Sequence, residues 1–204
     1  DFPTTRMRRY RKNSRIRDIV RETKLNKEDL IYPIFVKEDL KDDEKEAIST
    51  MPGEYRYSLN GAVEFAKELE EKGLKSIIIF GIPSSDKKDE IGSPAFASTG
   101  IVQKTVRKLK AETDLVVITD VCLCQYTSHG HCGLIKENDD TDFGFEILND
   151  ESLEYLAKTA LSHAEIAVSM RTRRPSTMRE SKILLHPVPS AYDDAYSFGT
   201  TSLV

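Results

Sequence analysis

No apolar run in this 204-residue chain is long enough to cross a bilayer: the longest, Ser76 to Pro83 (SIIIFGIP), falls far short of the roughly twenty residues that a spanning helix needs. The Arg-rich N-terminal stretch has no apolar segment behind it, so no secretory signal is expected, and the setting implied is cytoplasmic, with no membrane partner. Cysteine is scarce. There are three, an odd count, and in a reducing compartment a clustered set points to metal binding or chemistry rather than to a disulfide framework. No C-x2-C pair is present, which excludes a zinc ribbon of the usual spacing. No G-x-G-x-x-G follows the first apolar run, so nothing favours dinucleotide binding.

With 39% hydrophobic residues, the chain can bury one sizeable core and reads as a single domain with an extension. Charge marks the extension. Residues 1–24 hold nine Lys/Arg against three Asp/Glu, a net of +6 in a chain whose total is -4, so the rest carries -10. Electrostatic contact with nucleic acid is the weaker reading of this basic arm, because no base-reading motif accompanies it and the body is acidic. A solvated arm, or one lying on an acidic neighbouring subunit, fits the charge pattern better.

Beyond the arm the pattern alternates between apolar strands and amphipathic helices. LIYPIFV (30–36), SIIIFGIP (76–83) and LVVITDVCL (115–123) are continuous apolar runs, as expected of parallel strands buried on both faces. Between the first two, SLNGAVEFAKELEEKG has Ser58 placed as an N-cap, apolar Ala62, Phe65, Ala66 and Leu69 at helical spacing, and Gly73 as a stop. STGIVQKTVRKLKAE (98–112) and DESLEYLAKTALSHAE (150–165) predict two further helices. Repeated βα units predict an α/β fold with a parallel sheet, and either a doubly wound sheet or a (β/α)8 barrel satisfies the pattern.

All three cysteines and two of the four histidines fall within DVCLCQYTSHGHCG (120–133). Side chains alternate along a strand, so Asp120, Cys122 and Cys124 are predicted to share one face while Val121 and Leu123 take the other. They sit at the carboxyl end of the third strand, where barrels and open α/β sheets both place their sites. Gly130 lets the chain turn back, so Cys132 can join the first two thiols. Three thiolates suit Zn2+ and leave a fourth position open, the arrangement of a working site. His131, next to Cys132, can serve as a further ligand, a neighbour that orients the ligands, or a proton carrier.

TDVCLCQYTSHGHCG resembles the zinc-dependent form of the porphobilinogen synthase (5-aminolevulinate dehydratase) family. So do TTRMRRYRKNSRIRDIVRET, LIYPIFV, FGIPSSDKKDEIGSPAF and DESLEYLAKTALSHAE, in the same order, giving coverage from about residue 3 to 165. The resemblance implies a (β/α)8 TIM barrel, here its first part, with the arm (1–24) embracing a neighbouring subunit in a homo-octamer. The implied reaction condenses two molecules of 5-aminolevulinate to porphobilinogen, with loss of two waters, in haem biosynthesis. Cys122, Cys124 and Cys132 match the cysteines that hold the catalytic zinc, His131 a histidine beside it, and Asp120 an active-site aspartate.

Past Glu165 the quoted resemblance ends, and residues 166–204 are left without a structural assignment inside the partial barrel domain 25–204. IAVSM (166–170) is expected as a shortened fourth strand and KILLHPVP (182–189) as a fifth. The family's two Schiff-base lysines have no counterparts there: Lys182 is the only lysine after Glu165 and precedes its strand. The alternative reading is therefore a truncated zinc-binding homologue without turnover.

Overall fold

The computed structural model describes Thr4, residues 8–169 and residues 200–203. In chain order these form α1 (Ser14–Val20), β1 (Ile31–Lys37), the short β2 (Lys45–Ala47) and β3 (Tyr55–Tyr57), α2 (Leu59–Glu71), β4 (Ser76–Ile82), α3 (Ile101–Glu112), β5 (Val116–Val121), the hairpin β6 (Leu134–Glu137) and β7 (Phe145–Leu148), α4 (Asn149–Ser169) and β8 (Thr200–Leu203). The three predicted apolar strands are all present, with ends shifted by a residue or two.

β1 and β4 pair in parallel along their whole length, from Ile31 opposite Ser76 to Lys37 opposite Ile82. β4 continues in parallel to β5, from Ser76 opposite Val116 to Ile79 opposite Thr119. The long strands therefore lie in sequence order, with no reversal between them. The helices settle which βα fold this is. Buried residues of α2 (Ala62, Val63, Ala66, Leu69), α3 (Ile101, Val102, Val106, Leu109) and α4 (Ile166) join one cluster with Ile34 and Val36 of β1, Ile77 and Ile79 of β4, and Val117 of β5. Those strand residues share one parity, so all three helices cover the same face of the sheet. A doubly wound sheet would place helices on both faces; a barrel keeps them outside. The opposite face carries Pro33, Phe35, Ile78, Phe80 and Ile82, with Phe35 stacked on Phe80 at 5.4 Å, and Val116 at its edge is 47% exposed. This face corresponds to a barrel interior.

Local signals act as the sequence predicts at α2. Ser58 Oγ accepts from the Gly61 N–H at 3.1 Å. At the other end Gly73, with φ +92°, turns the chain while the Leu74 N–H reaches back to the Leu69 carbonyl at 3.1 Å. Ala62, Val63 and Ala66 between these signals are fully buried, as is Leu109 of α3; a residue the size of Leu109 contributes about 1.5–3 kcal/mol.

One expectation changes past α3. Ile166 to Ser169 form the last turn of α4 and not a fourth strand. The buried residues Ser152, Thr159, His163 and Ile166, with half-buried Tyr155 and Leu156, make a stripe at three- and four-residue spacing that runs through position 165 without a break. The apolar β-branched residues of IAVS thus extend a helix already under way. The fifth expected strand (182–189) lies outside the described residues. On β5, β8 runs antiparallel, from Ile118 opposite Leu203 to Val121 opposite Thr200.

The described part of the basic N-terminal stretch is exposed. A 3-10 turn (Arg8–Arg11) and α1 bury no residue, and Ile19 and Leu25 are 81% and 78% exposed.

Candidate metal centre

β5 ends at Val121, and Asp120 is its last partly exposed residue. Burial goes on alternating past the strand: Val121 and Leu123 are buried, Cys122 and Cys124 half-buried. Beyond Val121 no ladder holds the backbone, and a turn places Cys124. The N–H groups of Tyr126 and Thr127 both donate to the Leu123 carbonyl at 2.9 Å, with the Leu123 side chain fully buried beneath them. The single Thr127 Oγ1 proton is then shared between the carbonyls of Leu123 (3.2 Å) and His131 (3.0 Å), drawing the returning chain inward. Gly130 makes the return at φ +79°, a backbone region that glycine enters without strain.

The outcome is convergence. The sulfurs of Cys122, Cys124 and Cys132 all lie within 4.8 Å of one another, and Cys122 and Cys124 share a hydrogen bond at 3.4 Å. Cys132 is exposed, so the cluster opens to solvent on one side. Zinc bonds of about 2.3 Å at tetrahedral angles would put sulfurs roughly 3.8 Å apart, so the donor set fits such an ion with modest adjustment. His131 does not enter this group of donors. Its ring instead stacks on His129 (5.5 Å) and lies tilted against Phe145 (4.2 Å).

Electrostatics follow from crowding acids in a half-buried place. The hydrogen bond from Cys124 favours the Cys122 thiolate and holds its pKa well below the usual thiol range. The same hydrogen bond, with burial and the neighbouring negative sulfur, pushes Cys124 up. Asp120 is pushed up to about 6, first by burial and then by the charge of Cys122. Tyr126 rises through burial and through the negative charges of Asp120, Cys122 and Cys124.

Sequence reasoning missed several neighbours on the same rim. Glu38, just past β1, binds Lys87 at 2.5 Å and the Ser84 N–H at 3.3 Å, with Lys104 at 3.8 Å. Burial pushes its carboxyl up, but these partners reverse the effect and hold it below the ordinary value. Ser84 Oγ donates to the carboxylate of Asp39. The loop after β4 also grips the cysteine loop: the Ser128 N–H donates to the Asp89 carbonyl at 2.8 Å. The available signal was position, since Glu38 and Asp39 follow the carboxyl end of β1, and Ser84, Lys87 and Asp89 that of β4.

The family model described as "Delta-aminolevulinic acid dehydratase" matches residues 4–186. The chain belongs to this family. Its match to the dehydratase family runs past Glu165, further than the stretches quoted above carry by themselves. A delta-aminolevulinic acid dehydratase of Methanothermus sociabilis is 58% identical over 182 residues, 89% of this chain and 53% of that protein. One from Methanothermobacter thermautotrophicus is 52% identical over 195 residues, 96% of this chain and 56% of that protein. The chain thus spans about half the length of the curated dehydratases it matches. Among solved structures, the dehydratase (porphobilinogen synthase) of Toxoplasma gondii ME49, in complex with the reaction product porphobilinogen, superposes with a TM-score of 0.71 at 29% identity. The superposition covers 79% of this chain and 44% of that one. That enzyme family is the TIM-barrel type that the one-sided helix layer indicates.

Proposed function

We propose that this chain carries the metal-binding part of a porphobilinogen synthase, a lyase that condenses two 5-aminolevulinate molecules to porphobilinogen with loss of two waters. The observation that carries the reading is the convergence of three thiols at the carboxyl end of β5, in a chain of this family. Cys122, Cys124 and Cys132 are the proposed ligands of Zn2+. When bound, the ion would supply Lewis acidity for a substrate carbonyl or an acidified water.

The chain's own residues prepare the rest. Leu123 and Thr127 hold two thiols beside the third, and the exposed side at Cys132 admits the small substrate. Asp120, with its carboxyl raised to about 6, can take up and return a proton near neutral pH, which is the role proposed for it. His131, packed against the rings of His129 and Phe145, is proposed to flank the metal rather than to ligate it. The exposed arm is proposed to lie on a second copy in a homo-octamer, where Ile19 and Leu25 would lose their exposure. Among the described residues no helix is long and apolar enough to cross a membrane, and a cytoplasmic setting is proposed with that.

Metal content and pyrrole formation from 5-aminolevulinate, measured on the purified chain and on Cys124→Ala, test the reading. About one zinc per chain, lost in the variant, is expected. Unchanged metal content in Cys124→Ala would sink the thiolate site. Zinc binding without any pyrrole would favour a zinc-binding homologue without turnover.

A further inference from the structure

His129 lies between the loop that follows β4 and the stretch bearing Cys132, and both of its ring nitrogens are engaged. The His131 backbone N–H points at His129 Nδ1 at 3.2 Å. A backbone N–H can only donate, so Nδ1 must present its lone pair. On the other side Nε2 lies 3.2 Å from the Glu90 carbonyl oxygen, which can only accept, so Nε2 must carry the proton. The two contacts together define one neutral tautomer, Nε2–H.

We propose that His129, held as the Nε2–H tautomer, is a positioning residue that keeps Cys132 within reach of the other two thiols. Its ring is a rigid strut from Glu90 to the residue directly before Cys132. Two further restraints act on the near side of the turn: the Ser128 N–H on the Asp89 carbonyl, and the Asp89–Thr127 bridge. Between these and Cys132 stands Gly130, at φ +79° and with nothing within 4 Å of where a Cβ would be. A glycine in open space does not hold a turn against relaxation. The loop hydrogen bond from Thr127 Oγ1 to the His131 carbonyl is flexible in direction, whereas the imidazole fixes both of its ends at once. The Asp89 carboxylate supports the Glu90 end by accepting from the N–H groups of Ile91 (3.2 Å) and Ser93 (2.9 Å). His129 is thus a brace, and its identity matters because only imidazole spans both contacts in one plane.

The inference rests on the thiolate reading of the metal site, and its tests separate the two. The first uses metal-free protein with 15N-labelled imidazoles. The chain has only four histidines, so His129→Asn assigns the resonance by its loss. A protonated Nε2 and an unprotonated Nδ1 are expected; the opposite tautomer, or rapid averaging of the two, overturns the proposal. The second compares zinc affinity by chelator competition. Loss of an orienting partner typically weakens a site about 10- to 100-fold, and that loss is expected for His129→Ala. His129→Asn keeps an acceptor where Nδ1 stood but cannot reach Glu90, so an intermediate loss is expected. If His129→Ala holds zinc as tightly as the parent, the brace does not exist. If the parent binds no zinc while the tautomer is as stated, the metal reading fails and the strut stands.

Discussion

Replacing Gly81 by Ala should both destabilise the fold and loosen the thiol cluster. Gly81 lies in β4 opposite Val36, on the face covered by α3. A Cβ built there would stand 2.5 Å from Val102 Cγ2, 2.8 Å from the Tyr126 hydroxyl and 3.0 Å from Ile101 Cγ2. None of the three can easily give way: Val102, Ile101 and Tyr126 are 2%, 4% and 5% exposed, and Val and Ile are stiff at χ1. Overpacking of this kind costs about 1–3 kcal/mol. For a chain of this size each kcal/mol lowers Tm by about 2–4 °C, so a fall of roughly 2 to 12 °C is expected. Tyr126 is the contact that links this strain to the site, because its backbone N–H closes the turn on Leu123 that delivers Cys124. Zinc affinity should therefore drop along with Tm. Gly130→Ala is the control: nothing lies within 4 Å of its Cβ, so only the strain of φ +79° is added, about 1 kcal/mol. Thermal unfolding of both variants, followed by circular dichroism, decides the matter. A Gly81→Ala protein with parental Tm and parental zinc affinity would refute the packing argument.

Asp120→Asn should stabilise the metal-free protein above pH 6. Because the folded protein raises this carboxyl from 3.8 to about 6, it binds the proton more tightly than the unfolded chain, and stability falls as pH rises between those values. The advantage of the variant should grow from pH 4 to 6 and then level off at about 1–2 kcal/mol, allowing for the exposed edge of the group; a difference independent of pH would contradict this. Ser152→Ala leaves the Leu134 N–H without its 2.9 Å acceptor beside a 95% buried serine, and a loss of about 1–3 kcal/mol is expected in urea unfolding. Bound zinc should leave on acidification, because protons compete for the three sulfurs; metal retained after dialysis at pH 4 would argue against thiolate ligation.

The βα order, the helix carrying Ser58 and Gly73, and the gathering of the cysteines were all legible in the chain, because each rests on spacing of a few residues. Strand alternation correctly put Cys122 on the side of Asp120, but it had no authority over Cys124, which lies past the last ladder bond at Val121. There the turn on Leu123 took over. The strand expected at IAVSM failed for a related reason. So short a run carries no period of its own, and a helix already stabilised by the buried stripe from Ser152 to Ile166 extends through Ser169.

The sequence by itself determined that three thiols and a carboxylate would lie at the carboxyl end of a parallel strand, since hydrophobic runs and covalent proximity suffice for that. Only the tertiary structure decided between a barrel and a doubly wound sheet. That choice depends on which face each helix covers, and an apolar run such as SIIIFGI reads the same whichever side the helix takes. It also decided that His131 stacks with rings while His129 ties two loops together, and that Glu38 meets Lys87 and Lys104. Contacts between groups 39 to 66 positions apart leave no local pattern to read; they exist because a sheet brings the ends of its strands side by side.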